Sequence, residues 1–71
     1  MALIYIVEDD QNIREIESFA LKNSGYTIMD FECAKDFYHQ LAEKVPDCIL
    51  LDIMLPDEDG LEILKKIRSI P

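Results

Sequence analysis

Seventy-one residues, 49% of them hydrophobic, allow one small domain and exclude a disordered tail. Seven basic side chains against fifteen acidic ones give a net charge of −8, which argues against contact with nucleic acid or an anionic membrane and suits a cation or a basic partner face. The opening MALIYIV is ended at once by Glu8-Asp9-Asp10, too soon for a signal peptide, and no run reaches membrane-spanning length, so a cytosolic chain is expected.

Leu3 to Val7 (LIYIV) is a continuous apolar run bounded by acids, as in a strand buried on both faces. A helix follows, with Asp10 as its cap, Ile13, Ile16, Ala20 and Leu21 near one face, and Asn23-Ser24-Gly25 as its stop. Tyr26 to Phe31 reads as a second strand. Ala34 to Val45 reads as a second helix, with Phe37, Leu41 and Val45 inward, ended by Pro46. Cys48 to Asp52 (CILLD) is a third strand. After a loop, Leu61 to Ile70 makes a third helix, with Leu61, Leu64 and Ile67 inward and Lys65, Lys66 and Arg68 near its C-terminal end. Cys33 and Cys48 fall at opposite ends of the expected sheet, so both are expected to be free thiols. His39 is expected to be a surface residue.

The order βαβαβα implies an α/β fold with a parallel sheet and right-handed crossovers. With crossovers on opposite faces, the first strand lies in the middle and the order is 2-1-3. The binding crevice of such sheets lies beyond the carboxyl ends of the strands, where the order reverses. The first strand ends in Glu8-Asp9-Asp10 and the third in Asp52, so carboxylates meet at one edge. Their repulsion raises their pKa values unless a cation intervenes. Mg²⁺ favours a few carboxylates, a carbonyl and waters. Asp9 and Asp52 are the expected ligands, with Glu8 acting through water and the backbone carbonyl of Met54 as a further oxygen.

IVEDD followed by LLDIMLPDEDG resembles the receiver domain of two-component response regulators. The matching features are the acidic pair Glu8-Asp9, the strand-end Asp52, Pro56 four residues later and Gly60 eight residues later, and the resemblance spans residues 1–71. It implies a flavodoxin-like fold and a phosphoacceptor module rather than an enzyme. In that scheme Asp52 takes a phosphoryl group from a sensor histidine kinase, with Mg²⁺ held by Glu8, Asp9, Asp52 and the Met54 carbonyl. Pro56 and Gly60 shape the loop. Asp57 and Glu58 are expected to be solvated turn residues, and Asp59 to cap the third helix. The wording LDIMLPDEDG is most like receivers joined to DNA-binding output domains, which would make transcription regulation the output.

The family fold continues to a fourth strand ending in serine or threonine and a fifth ending in lysine. The only threonine here, Thr27, lies in the second strand, and the lysines lie on or near helices. The chain is therefore expected to be a half-domain, truncated after the third β/α unit and impaired in phosphotransfer. The third strand becomes an apolar edge, which predicts completion by a homodimer in the order 2-1-3-3′-1′-2′. The alternative is a self-associating half-domain with no phosphotransfer activity.

Three rival sites fail on the residues. Aligning Gly60 with the glycine of a calcium loop puts Leu55 and Lys66 at the first and last ligand positions. Two glycines in all leave no phosphate-cradling loop. A haloacid-dehalogenase-like phosphatase wants an acid where Met54 stands.

Overall fold

The computed structural model describes residues 2–52 and 55–68. The elements are β1 (Leu3–Val7), α1 (Gln11–Asn23), β2 (Thr27–Phe31), α2 (Ala34–Glu43), β3 (Cys48–Leu51) and α3 (Gly60–Arg68). The three strands form one parallel sheet in the order β2-β1-β3, the flavodoxin-like arrangement expected from the sequence. β1 is central and buried at all five positions, which is why its sequence is apolar throughout instead of alternating.

Alternation along β1 divides the two faces. Leu3, Tyr5 and Val7 join Ala34, Phe37 and Ile63 in the main core, with Phe31, Leu41, Ile49, Leu51, Leu55 and Ile67 packed against it. Edge-to-face aromatic contacts fix its centre: the Tyr5 ring lies 5.3 Å from Phe31 and 6.3 Å from Phe37, centroid to centroid. The Tyr5 hydroxyl donates to the Lys44 carbonyl just past α2, so its polar tip is satisfied within a buried residue. Ile4 and Ile6 are buried on the other face, where α1 packs across β1 and β2.

The helix ends follow the sequence. Asp10 accepts hydrogen bonds from the Asn12 and Ile13 amides at 2.9 and 3.1 Å and so caps α1. α1 closes on Gly25, whose φ of 93° lies in the left-handed region, and the Gly25 amide donates to the Lys22 carbonyl. α2 stops at Glu43, three residues before Pro46. The two cysteines are free thiols, with Cys48 exposed, and His39 is exposed.

The inward faces of two helices differ from the expectation. On α1, Ile13 (46% exposed), Ile16 (69%) and Ala20 point away from the sheet, and only Leu21 of that set is half-buried. Arg14, Ser18 and Leu21 face inward instead. Ser18 Oγ donates to Asp30 Oδ2 of β2 at 3.2 Å, and Arg14 pairs with the same carboxylate. The polar stripe of the helix thus lies over Asp30, and the apolar one faces out. On α3, Ile63 is fully buried and Ile67 half-buried, while Leu61 and Leu64 are exposed. Val45 lies beyond α2 and is 70% exposed.

Candidate metal centre

The pairing register sets Val7 beside Leu51, so Glu8 and Asp52 leave neighbouring strands side by side. Backbone bonds carry the ladder one step further: the Asp52 amide donates to the Val7 carbonyl at 2.9 Å, and the Glu8 amide to the Phe31 carbonyl at 3.0 Å. Both side-chain positions are therefore fixed by the sheet itself. Glu8 and Asp52 are half-buried and Asp9 is exposed. One carboxylate oxygen from each of Glu8, Asp9 and Asp52 lies within 4.8 Å of the others.

This crowding has an electrostatic signature. The Glu8 carboxyl is pushed up to about 7, chiefly by burial, then by its hydrogen bond to Asp52, with Asp9 and the Asp52 charge adding in the same direction. The Asp10 amide, donating to Glu8 Oε2 at 3.3 Å, only partly offsets this. Three hard oxygen donors at one strand edge, one of them holding a proton near neutrality, fit a small divalent cation such as Mg²⁺.

Of the other expected site residues, Met54 lies outside the described residues. Pro56 is exposed in the loop. Gly60 opens α3 and is buried, and its φ is not in the left-handed region, so a turn conformation does not account for it. Asp59 caps α3, its Oδ1 accepting from the Leu61 amide at 2.9 Å.

Asp57 and Glu58 are not idle turn residues. Asp57 reaches across to α2 and accepts from the Ala34 amide (2.9 Å) and the Lys35 amide (3.1 Å). Those bonds, that to Ala34 first, hold its carboxyl below the usual range. Glu58 accepts from the Tyr38 hydroxyl at 2.6 Å and from Lys66 Nζ at 3.0 Å, and both lower its pKa. The Lys66 ammonium also lies 5.4 Å from the centre of the Tyr38 ring. Burial and the bond to Glu58 push the Tyr38 phenol well above its ordinary range.

Arg14 is a further residue that periodicity did not single out. Its Nη1 donates to the Glu8 carbonyl at 2.9 Å, steadying the backbone that carries the acidic pair. Its place one helical turn after the Asp10 cap was the available signal. Glu17 lines a small cleft beside Glu8 and Asp52, together with Val7, Leu50 and Leu51.

The family model of the response regulator receiver domain matches residues 4–71. Over 67 residues the chain is 39% identical to the DNA-binding transcriptional regulator NtrC of Escherichia coli K12, covering 94% of this chain and 14% of that protein. It overlays the response regulator TrrA of Thermotoga maritima, solved in complex with Mg²⁺-BeF, at a TM-score of 0.91 and 33% identity, over 97% of this chain and 60% of that one. A structure of the histidine kinase ThkA in complex with TrrA matches at a TM-score of 0.93 and 32% identity, over 100% of this chain and 61% of that one. The chain thus spans about three-fifths of these solved chains and about a seventh of NtrC.

Proposed function

The chain belongs to the response regulator receiver domain family of two-component signalling, and on that premise we propose that Asp52 is its phosphoacceptor and that Glu8, Asp9 and Asp52 hold Mg²⁺. The observation that carries this reading is the convergence of the three carboxylates within 4.8 Å at the carboxyl edge of the sheet. An Asp52 oxygen attacks the phosphorus of a phosphohistidine on a sensor histidine kinase. The new O–P bond forms as the P–N bond breaks, and the imidazole leaves with the electron pair. A bound Mg²⁺ supplies charge neutralisation for the incoming phosphoryl oxygens. Glu8 and Asp9 hold negative charge where the cation binds, and the two backbone bonds at Val7 and Phe31 keep both strand ends in place. The Met54 carbonyl is proposed as a fourth oxygen, with Pro56 and Gly60 shaping the loop between.

The kinase partner is supported by the TrrA relative, whose complex is with a histidine kinase. A role in transcription regulation is supported by the likeness to NtrC, while the charge of −8 argues that this segment does not itself touch DNA. Among the described residues no helix is long and apolar enough to cross a membrane. The likeness to NtrC, a DNA-binding transcriptional regulator, supports a place for the domain in the cytosol. Intact mass after treatment with acetyl phosphate and Mg²⁺ tests the acceptor. A gain of one phosphoryl group in the parent chain, lost in Asp52→Asn, is expected. A folded chain with no such gain leaves the idle, self-associating reading in its place.

The edge of the sheet favours a second property. Among the described residues β3 pairs with β1 on one side only, and Cys48 and Leu50 on it are exposed. An apolar strand with a free ladder is an association site. We propose that in this chain a second copy pairs there, antiparallel, in the order 2-1-3-3′-1′-2′ about a two-fold axis. Sedimentation equilibrium over a range of concentrations reads this directly, and a monomer throughout would refute it.

A further inference from the structure

α2 starts without a cap of its own. Cys33 occupies the capping position in extended conformation, and its side chain makes no capping bond. Asp57 supplies the cap from the loop between β3 and α3, with both carboxylate oxygens on the first two amides of the helix. Glu58 makes a second tie to α2 through Tyr38 and a first to α3 through Lys66. Asp59 completes the set by capping α3. At its start, the loop is bonded through the Asp52 amide to Val7, and Leu55 is packed against the core. Residues 55–59 are therefore fastened to the core, to α2 and to α3, and the ties of Asp57 and Glu58 run chiefly to α2.

We infer that Asp57 is a positioning residue for the cation site, holding the backbone that leaves Asp52 against the repulsion of the three clustered carboxylates by capping α2 across the loop. The inference rests on the reading of Glu8, Asp9 and Asp52 as Mg²⁺ ligands. The carboxylates that follow β1 and β3 push one another apart when no cation is present, and an anchored loop resists the displacement of Asp52. Releasing the loop lowers the fraction of molecules with the ligands assembled, and apparent affinity falls by that fraction. By linkage, a cation that favours the assembled site must also favour the Asp57 bonds to α2.

Two measurements on the whole chain test this, with Mg²⁺ alone as the probe. The first is calorimetric titration of the parent chain and three variants. Asp57→Ala removes the cap and is expected to weaken Mg²⁺ binding about fivefold. Asp57→Asn keeps one of the two acceptor oxygens but sets an amide NH₂ against the second backbone N–H, and is expected to fall between Asp57→Ala and the parent. Asp36→Ala, which removes an acid from the first turn of α2 without touching the loop, is expected to stay within about twofold of the parent. The second measurement is hydrogen exchange in the parent chain. Mg²⁺ is expected to slow the Ala34 and Lys35 amides more than the Leu41 amide further along the same helix.

Affinity unchanged in Asp57→Ala overturns the inference. So does a loss in Asp36→Ala as large as that in Asp57→Ala, because affinity would then follow the charge near the start of α2 and not the cap. Exchange at Ala34 and Lys35 that responds to Mg²⁺ no more than Leu41 overturns it without any variant, even if Asp57→Ala does not fold. A parent chain with no saturable Mg²⁺ binding removes the cation reading itself, and the positioning role with it.

Discussion

Replacing Asp52 by asparagine removes one of three carboxylates whose oxygens lie within 4.8 Å of each other. Two unit charges at that distance repel by about 1 kcal/mol in bulk water and by about 3.5 kcal/mol at an effective dielectric of about 20. The site is half-exposed, so a relief of about 1–2 kcal/mol is expected in metal-free protein when all three groups are charged. In a domain of this size that raises the melting temperature by roughly 5–10 °C. The gain must depend on pH. Folding raises the Glu8 carboxyl from its ordinary value of 4.5 to about 7, so its contribution to stability is present in full below about 4.5 and lost as pH rises through about 7. Metal-free parent protein therefore loses stability toward pH 8, and Asp52→Asn loses less. Thermal unfolding in EDTA at pH 5.5 and pH 8 measures this. The variant's advantage is expected to be large at pH 8 and small at pH 5.5, and added Mg²⁺ is expected to stabilise the parent and leave the variant nearly unchanged. An Asp52→Asn chain no more stable than the parent at pH 8, or equally favoured at both pH values, would refute the repulsion on which the argument stands.

Other outcomes follow from the packing around the site. Phe37 is fully buried at the centre of the aromatic cluster, and Phe37→Ala is expected to cost about 3–5 kcal/mol by urea unfolding, a large share of a small domain's stability; a loss below about 1 kcal/mol would contradict the core assignment. Asp57 and Glu58 both have carboxyls lowered by folding, so their stabilisation is present above the ordinary carboxylate range and disappears as pH falls through their lowered values. Acid unfolding of Asp57→Asn should accordingly show a shallower limb than the parent, and an identical limb would mean the cap carries no charge-dependent stability. Arg14 bonds the Glu8 carbonyl through Nη1 while Nε faces Asp30 at 3.8 Å, a fork that lysine cannot reproduce. Arg14→Lys and Arg14→Gln are both expected to weaken Mg²⁺ binding a few-fold in calorimetric titration, and full rescue by lysine would reduce Arg14 to a simple charge.

The element order and the sheet order were legible because each rests on a local signal. An apolar run of five bounded by acids makes β1 the central strand, and the Asp10 cap and Gly25 mark both ends of α1 within a few residues of where they fall. The acidic cluster was legible for the same reason. Glu8 and Asp9 follow β1 directly and Asp52 follows β3, so knowing that the strands are parallel neighbours is enough to bring the three together. The Met54 carbonyl falls outside the described residues, and its place in the set stands as a proposal.

Helix rotation and loop anchoring are set by partners distant in sequence, and here periodicity misleads. α1 has an apolar stripe at Ile13, Ile16 and Ala20, but the sheet face beneath it carries Asp30, which stays partly solvated and offers an acceptor to the helix. Ser18 donates to it and Arg14 pairs with it, with the polar stripe turned inward and the apolar one facing out. The acids after Pro56 pose the same problem in reverse. In sequence Asp57-Glu58 is a charged turn with no special feature, and only Asp59 shows its role, as the cap of the helix that follows it. The other two each have a donor waiting that their neighbours in the chain do not reveal: the bare N-terminus of α2, and the Tyr38 hydroxyl with Lys66. The carboxylate proposed as the phosphoacceptor can be read from its place at a strand end. One that ties the loop to a distant helix is recognised only once the fold has shown which donors lack an acceptor, and in this domain the missing cap at Cys33 is that clue.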